Sequence, residues 1–296
     1  SAFKPGDEIE ITLKMHGTSQ RTGYLPVFKG YKRTFFDWLF RREGKPIYDW
    51  GYVSGTRRVV LENYEGGFYG DNTFREQHSK MFEGKLNKGE TVYYEVVGFT
   101  TSGQPIMGDA NNKKLNDKEF IKQYGETTRF SYGCSPAIPF GGEANQSDIY
   151  VYRMTMTNPD GEVVEYTPDF MRYRCEQMAV KTVPVFFRGH ITCAGIHGDG
   201  AFEYHISDGI KMGACYGDGT IGDMIRTAAE DFYDGPDPVG KTHVREGVVV
   251  RIINRPKFAA YKHKNHTFKV LSGIAIAVAE ESGATDTMSE DMLAEM

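Results

Sequence analysis

A lysine stands two residues before a His-Gly corner in Lys14-Met15-His16-Gly17-Thr18. A lysine amine attacks phosphorus only when uncharged, and its ordinary pKa is about 10.4. Nearby positive charge and desolvation lower that value. A strand-to-loop position, with Gly17 permitting a close backbone approach, suits an amine aimed at an α-phosphate. Far along the chain, Lys262 and Lys264 are two apart in Tyr261-Lys262-His263-Lys264-Asn265. On a strand that spacing points both to one side. Two ammonium groups side by side are costly unless they share an anion. A triphosphate is such an anion, and the two charges would also depress the Lys14 pKa. Glu246 precedes Gly247 and three valines, so a buried strand anchors it. A carboxylate held beside phosphates can ligate Mg²⁺ through oxygen. Each signal alone has a plainer explanation: K-x-H-G lysines are mostly solvated, and K-x-K alone is commonly an exposed basic strand. Together they favour a site.

Three more segments offer chemistry. Arg57, after Tyr52-Val53-Ser54-Gly55-Thr56, is either a forked phosphate donor or a surface arginine on a turn. Glu95, in Tyr93-Tyr94-Glu95-Val96-Val97-Gly98, lies on the opposite strand face from Tyr94 and Val96 and can point into a cleft. Tyr150 and Tyr152 share a strand face in Asp148-Ile149-Tyr150-Val151-Tyr152-Arg153. They are either a stacking surface or two core tyrosines.

The elements that must hold these residues are partly legible. Alternation over residues 7–14 predicts a strand delivering Lys14 at its end. Thr34 is expected to cap a short helix through Arg41, ended by Gly44-Lys45-Pro46. Residues 50–62 and 90–99 read as strands. Asn116-Asp117-Lys118-Glu119 reads as a helix start. Residues 148–157 and 161–166 read as a hairpin around Asn158-Pro159-Asp160-Gly161. Thr167-Pro168-Asp169 opens a helix. The glycine-rich stretch 188–220 mixes short strands and loops. Thr220 to Phe232 reads as a helix stopped by Gly235-Pro236, with 236–238 a hinge or a surface loop. Residues 246–253 and 259–271 read as strands, and 274–296 as a final helix or an acidic tail. Strands outnumber helices and alternate, so antiparallel sheets with flanking helices are expected.

The chain of 296 residues with 40% apolar content is long enough for one large domain or two smaller ones. It has no apolar run long enough to span a membrane, and residues 1–6 lack a signal-peptide core. Cys134, Cys175, Cys193 and Cys215 are widely spaced without C-x-x-C, which argues for free thiols in a reducing cytosol. Net charge is −5, but from Lys241 to Lys269 eight Lys/Arg face one acid, Glu246, and from Lys29 to Lys45 six face two. A basic surface on a mildly acidic protein still binds phosphates. The Lys29–Lys45 cluster can equally be ordinary solvated charge.

Taken together, Lys14-Met15-His16-Gly17, the Ser54–Arg57 segment, Glu95-Val96-Val97-Gly98, Glu246-Gly247 and Lys262-His263-Lys264 resemble, in order, the nucleotidyl-transfer motifs of ATP-dependent RNA ligases of the phage T4 RNA ligase 2 type. The resemblance spans roughly residues 8 to 271 and thins between Tyr152 and Glu246. It implies an α+β nucleotidyltransferase (ATP-grasp-like) fold, with two antiparallel sheets flanked by helices and a nucleotide cleft between them. It implies one adenylyltransferase domain over 1–273, with room for an insertion within 186–240 that holds His190, His197 and His205. About 25 residues follow Val270, too few for a separate oligonucleotide-binding domain. By the same resemblance Lys14 is the catalytic lysine that carries AMP. The nucleotide would be held by His16, Gly17, Arg57, Glu95, Tyr152 (with Tyr150 as fallback), Glu246, Arg251, Lys262 and Lys264, and the metal by Glu95 and Glu246. The expected small molecules are ATP and Mg²⁺, with Mn²⁺ as an alternative. Some relatives place a glutamate before the lysine to read adenine; here Leu13 stands there, so ATP over GTP rests on the resemblance.

The implied function is joining of RNA 3′-OH and 5′-phosphate ends through a lysyl-AMP intermediate, as in RNA repair. DNA ligases and capping enzymes resemble K-x-D-G, so His16 favours RNA. The alternatives are a DNA or RNA–DNA hybrid nick ligase, and a catalytically silent nucleic-acid-binding or nucleotide-sensing module. The expected setting is a monomer acting on nucleic acid, away from membranes, in a cytoplasm that is its own or, for a phage or virus gene, the host's.

Overall fold

The computed structural model describes residues 2–66, 70, 72–104, 106, 113–114, 127–128, 147–199, 203–206, 209–212, 215–240 and 244–271. The chain divides into two compact units. The first comprises residues 1–18, 95–150 and 181–296; the second comprises 19–94 and 151–180. The expected helix start at Asn116, Cys134 and the 274–296 tail lie outside the described residues.

The strands in chain order are β1 (Glu8–Leu13), β2 (Thr18–Lys32), β3 (Lys45–Gly55), β4 (Glu90–Gly98), β5 (Lys113–Lys114), β6 (Thr127–Thr128), β7 (Ser147–Thr157) and β8 (Val163–Glu165). They continue with β9 (Lys181–Thr182), β10 (Val185–Ile191), β11 (Ile196–Gly198), β12 (Glu203–Ile206), β13 (Gly209–Met212), β14 (Cys215–Tyr216), β15 (Gly247–Ile252) and β16 (Ala259–Lys264). The helices are α1 (Phe35–Leu39), α2 (Thr73–Lys80), α3 (Pro168–Met178), α4 (Ile221–Tyr233) and α5 (His266–Leu271).

The first unit is built on a sheet of order β14-β11-β10-β1-β15-β16. β1 is central and antiparallel to both β10 and β15, with Ile11 opposite Phe187 on one side and Val250 on the other. Alternation sends Ile9, Ile11, Val248, Val250 and Ile252 to one face, where all are buried. α4 covers that face with Met224, Ile225, Ala228 and Phe232. Burying each such large side chain contributes about 1.5–3 kcal/mol. α4 starts where Thr220 accepts the Asp223 amide and Asp223 answers the Thr220 amide, a capping box. Segment 186–240, read from sequence as room for an insertion, supplies β10, β11, β14 and α4, and with them much of this core. Residues 236–238 form a loop tied by an isolated bridge between Pro236 and Val244.

The second sheet has the order β3-β2-β4-β7-β8, with β9 also paired to β7. Within the second unit Thr22 Oγ1 meets Ser54 Oγ at 2.8 Å and the Tyr94 hydroxyl at 2.9 Å, both buried. In the same unit Arg174 donates from Nε and Nη2 to the two oxygens of fully buried Glu90, each at 2.8 Å. The hydroxyl of Tyr166 and the amide of Asn87 also donate to Glu90. Burial pushes the Glu90 carboxyl up, but the Arg174 hydrogen bonds and these donors hold it below its usual value.

Three expected strands or boundaries differ. The strand expected over 50–62 runs instead from Lys45 to Gly55, because it pairs over its whole length with β2. β2 itself, fifteen residues, was not read from the sequence. The strand expected over 259–271 ends at Lys264; Asn265 accepts the Lys269 amide on its carbonyl and begins helix α5. The architecture is α+β with antiparallel sheets, as expected.

Candidate functional site

β1 delivers Lys14 as its pairing ends. Leu13 N donates to Pro184 O at 2.9 Å, and Lys14 N donates to Gly247 O at 3.0 Å. The Lys14 side chain, 16% exposed, donates from Nζ to Glu246 Oε1 at 2.5 Å. His16 Nδ1 lies 3.1 Å from Glu246 Oε2. Lys264 Nζ lies 3.8 Å from Glu246 Oε1. One buried carboxylate thus serves two lysines and a histidine. Burial alone would push the Glu246 carboxyl up; the Lys14 charge, with the His16 hydrogen bond, overcomes this and holds it well below the usual carboxylate range. It is therefore a fixed counter-ion rather than a proton acceptor.

Backbone geometry aims Glu246. Gly247 has φ +147°, and a Cβ there would stand 2.1 Å from the His263 carbonyl oxygen, so only glycine fits the approach of β15 to β16. The Glu246 carbonyl accepts from Asn265 N at 2.9 Å, and Asn265 Nδ2 donates to Tyr233 O at 3.0 Å. Buried Phe268 of α5 meets the His16 ring edge-on at 5.0 Å.

Gly17 does the same for the other carboxylate. A Cβ on Gly17 would meet Val96 O at 2.4 Å, Val97 Cγ1 at 2.7 Å and Glu95 Cγ at 2.9 Å. The Lys14–Gly17 corner therefore lies directly against β4 and the stem of half-buried Glu95.

The sheet face opposite α4 carries the remaining cations. Lys264 is opposite Gly247, Lys262 opposite Val249, and Arg251 opposite Glu10, so they share the face of Thr12 and Glu10. Arg251 is buried, with its guanidinium 4.9 Å from the Phe258 ring centre. Arg188 was not singled out from sequence, yet it pairs with Glu10 from the other side and joins this face. Register revealed it; its sequence neighbourhood, Phe186-Phe187-Arg188-Gly189, holds no motif.

The first unit therefore gathers Lys14, His16, Gly17, Glu95, Glu246 and Lys264 at one corner, with Lys262 and Arg251 on the adjoining face. Arg57 and Tyr152 belong to the second unit. Arg57 is half-buried on the turn after β3, where Thr56 N donates to Val59 O. Tyr152 is half-buried on β7, whereas Tyr150, the fallback stacker, is buried with Lys181 Nζ 5.7 Å from its ring centre.

Among the described residues no group of three His, Cys, Asp or Glu side chains is gathered to hold a metal ion. Glu246 and Glu95 offer carboxylate oxygens, the donor type that holds Mg²⁺ together with substrate phosphates, but both Glu246 oxygens are engaged by Lys14, Lys264 and His16. Of the described histidines, His190 and His197 stack at 5.5 Å on neighbouring strands, and His197 Nε2 lies 3.2 Å from Thr192 Oγ1. No helix among the described residues is long and apolar enough to cross a membrane.

No family model and no curated protein matches this chain. Among solved structures it is similar to Naegleria gruberi RNA ligase. A substituted form of that protein with ATP and Mn gives a TM-score of 0.47 at 13% identity, covering 90% of this chain and 52% of that one. The same protein with PPi gives 0.46 at 14%, covering 90% and 52%. A substituted form with AMP and Mn gives 0.45 at 14%, covering 89% and 51%. The chain spans about half the length of these structures.

Proposed function

We propose that this chain is an ATP-dependent polynucleotide ligase that joins RNA 3′-OH and 5′-phosphate ends through lysyl-AMP. The observation that carries the reading is the lysine at the end of β1, part-buried against a carboxylate that it shares with Lys264. Two ammonium groups within 4 Å of one carboxylate oxygen concentrate positive charge of the kind that makes charge-assisted bonds to phosphate.

In the first step Lys14 Nζ bonds to the α-phosphorus of ATP, the α–β anhydride breaks, and pyrophosphate leaves. The amine attacks only as the neutral base: the entering nucleotide draws the ammonium off Glu246, and its proton passes to solvent water before the nitrogen bonds to phosphorus. In the second step a 5′-phosphate oxygen takes the AMP from nitrogen. In the third the 3′-hydroxyl attacks that 5′-phosphate and AMP departs. Each is an in-line displacement dominated by positioning and charge neutralisation. Lys262, Lys264, Arg251 and Arg57 would neutralise phosphates, and Tyr152 would stack on adenine. Gly17 lets the corner sit close, while His16 steadies Glu246. Glu95 and Glu246 would hold Mg²⁺ or Mn²⁺, or the ribose; the bound metal would neutralise charge on the phosphate oxygens. The basic 241–269 stretch would face the nucleic-acid backbone.

The test is incubation with α-labelled ATP or GTP and Mg²⁺, followed by denaturation. Label on the denatured chain, absent from Lys14→Ala, is the expected result, with ATP preferred. Absence of label with every nucleotide overturns the reading in favour of a binding module. Sealing assays on nicked RNA, DNA and hybrid duplexes then decide the strand preference.

A further inference from the structure

The outer half of the β2–β3 hairpin carries no described core. Its tip helix α1 has no buried residue, and Phe35, Phe36, Trp38 and Phe40 are 62–69% exposed. Scattered exposed apolar residues need no explanation, but a contiguous patch marks an interaction site.

The rings are ordered along one face of the ribbon. Tyr24 is opposite Tyr52 and Phe28 opposite Tyr48, with Trp50 opposite Pro26 between them. The ring centres of Tyr24 and Tyr52 are 4.6 Å apart and stacked; Tyr24 to Trp50 is 5.7 Å, and Phe28 to Tyr48 is 5.8 Å. A bulge between Phe28 and Gly30 inserts one residue, which returns Tyr31 to the Phe28 face with the rings 5.1 Å apart. At about 3.3 Å per residue this ladder runs about 20 Å before α1 extends it.

We propose that this ribbon is a docking arm for an unpaired nucleic-acid strand, whose bases lie against the rings and whose phosphates meet the surrounding lysines and arginines. Charge complementarity selects a polyanion: between Lys29 and Lys45 six bases face two acids. The apolar chemistry selects one with flat faces. From Phe28 to Tyr48 every exposed large apolar residue except Leu39 and Ile47 is a ring. Cations already sit at the rings, with the Arg42 guanidinium 5.7 Å from Phe40 and Lys88 Nζ 5.4 Å from Trp50. Rings in a basic groove are how proteins hold single strands without sequence preference. An anionic membrane fits less well. An interfacial helix needs separate apolar and polar faces, whereas the five-residue α1 is apolar at Phe35, Phe36, Trp38 and Leu39 alike.

The chain's two tryptophans, Trp38 and Trp50, both lie in the arm, so intrinsic fluorescence reports on it directly. The full chain is titrated with a short oligouridylate and, separately, with phosphatidylserine vesicles. Saturable quenching by the oligonucleotide that weakens with salt is expected. The double variant Phe28→Ala/Tyr48→Ala is expected to bind at least about fivefold more weakly. Arg41→Gln/Arg42→Gln, which spares the rings, is expected to flatten the log-log salt slope by up to about 1.4, about 0.7 for each arginine. No quenching by the oligonucleotide, unchanged affinity in both variants, a response to vesicles alone, or a signal that follows only protein concentration would each overturn the proposal. The arm stands whether or not Lys14 is adenylated. Labelling of Lys14 is read in parallel, so failure of one reading is distinguishable from failure of the other.

Discussion

Replacing Glu246 by Gln keeps the side chain's shape and removes the anion that Lys14 and Lys264 share. Breaking a buried pair costs about 3–5 kcal/mol because it leaves an uncompensated charge. Lys14 retains 16% exposure, so water can reach part of it and the low end, about 3 kcal/mol, is expected. For a protein of this size that lowers Tm by about 5 °C. The loss must also depend on pH. Glu246 has a depressed folded pKa, so its contribution is fully present above the unfolded value of 4.5 and is lost as pH falls below it. Glutamine has no such limb. The gap between wild type and Glu246→Gln should therefore be widest at neutral pH and shrink by up to about 1.4 kcal/mol for each pH unit below 4.5. Circular-dichroism melts across this range measure both quantities. A double-mutant cycle with Lys14→Met should return a coupling of at least about 1 kcal/mol. An unchanged Tm, a gap independent of pH, or strictly additive mutants would refute the shared-anion account.

Three further outcomes follow from the geometry. Gly17→Ala puts a methyl 2.4 Å from the Val96 carbonyl oxygen and should cost about 1–3 kcal/mol while displacing Glu95; a denaturant midpoint equal to wild type would contradict it. Lys264→Ala should cut labelling of Lys14 by ATP at least about tenfold, since a charge-assisted phosphate contact contributes about 1.5–3 kcal/mol, and normal labelling would remove Lys264 from the site. Arg174→Met strands the fully buried Glu90 and should cost about 3–5 kcal/mol in urea unfolding at neutral pH. That cost should fall as pH drops below 4.5 and the carboxyl takes up a proton, so a pH-independent loss would point to packing instead.

Elements with local signals were legible in the sequence. The alternation of β1, the turn between β7 and β8, Pro168 in the first turn of α3 and the start of α4 after Thr220 all rest on signals within a few residues, and the structure has each where it was expected. The elements that escaped are set by partners far away. β2 lacks alternation because Gly23, Gly30 and a bulge interrupt it; pairing with β3 and β4 makes it a strand. The 259–271 segment has apolar residues at both ends of a polar middle, and periodicity cannot show that Asn265 turns β16 into α5. The same holds for side chains. The pairing of Lys14 with Glu246 was an expectation drawn from resemblance, whereas the place of Arg188 depends on register, which a lone arginine in a glycine-rich stretch does not advertise. The aromatic content of the hairpin was visible as composition, but its exposure and its single-faced order were not.

β1 lies between two strands that reach it from 170 and more residues away, and its lysine meets a carboxylate 232 residues downstream. Such non-local pairing is slow to form, because loop-closure entropy is spent before contacts repay it. On the ribosome, Lys14 would be synthesised 232 residues ahead of the carboxylate it meets. A chain released before residue 246 would thus display every aromatic of the arm while Lys14 had not yet met Glu246.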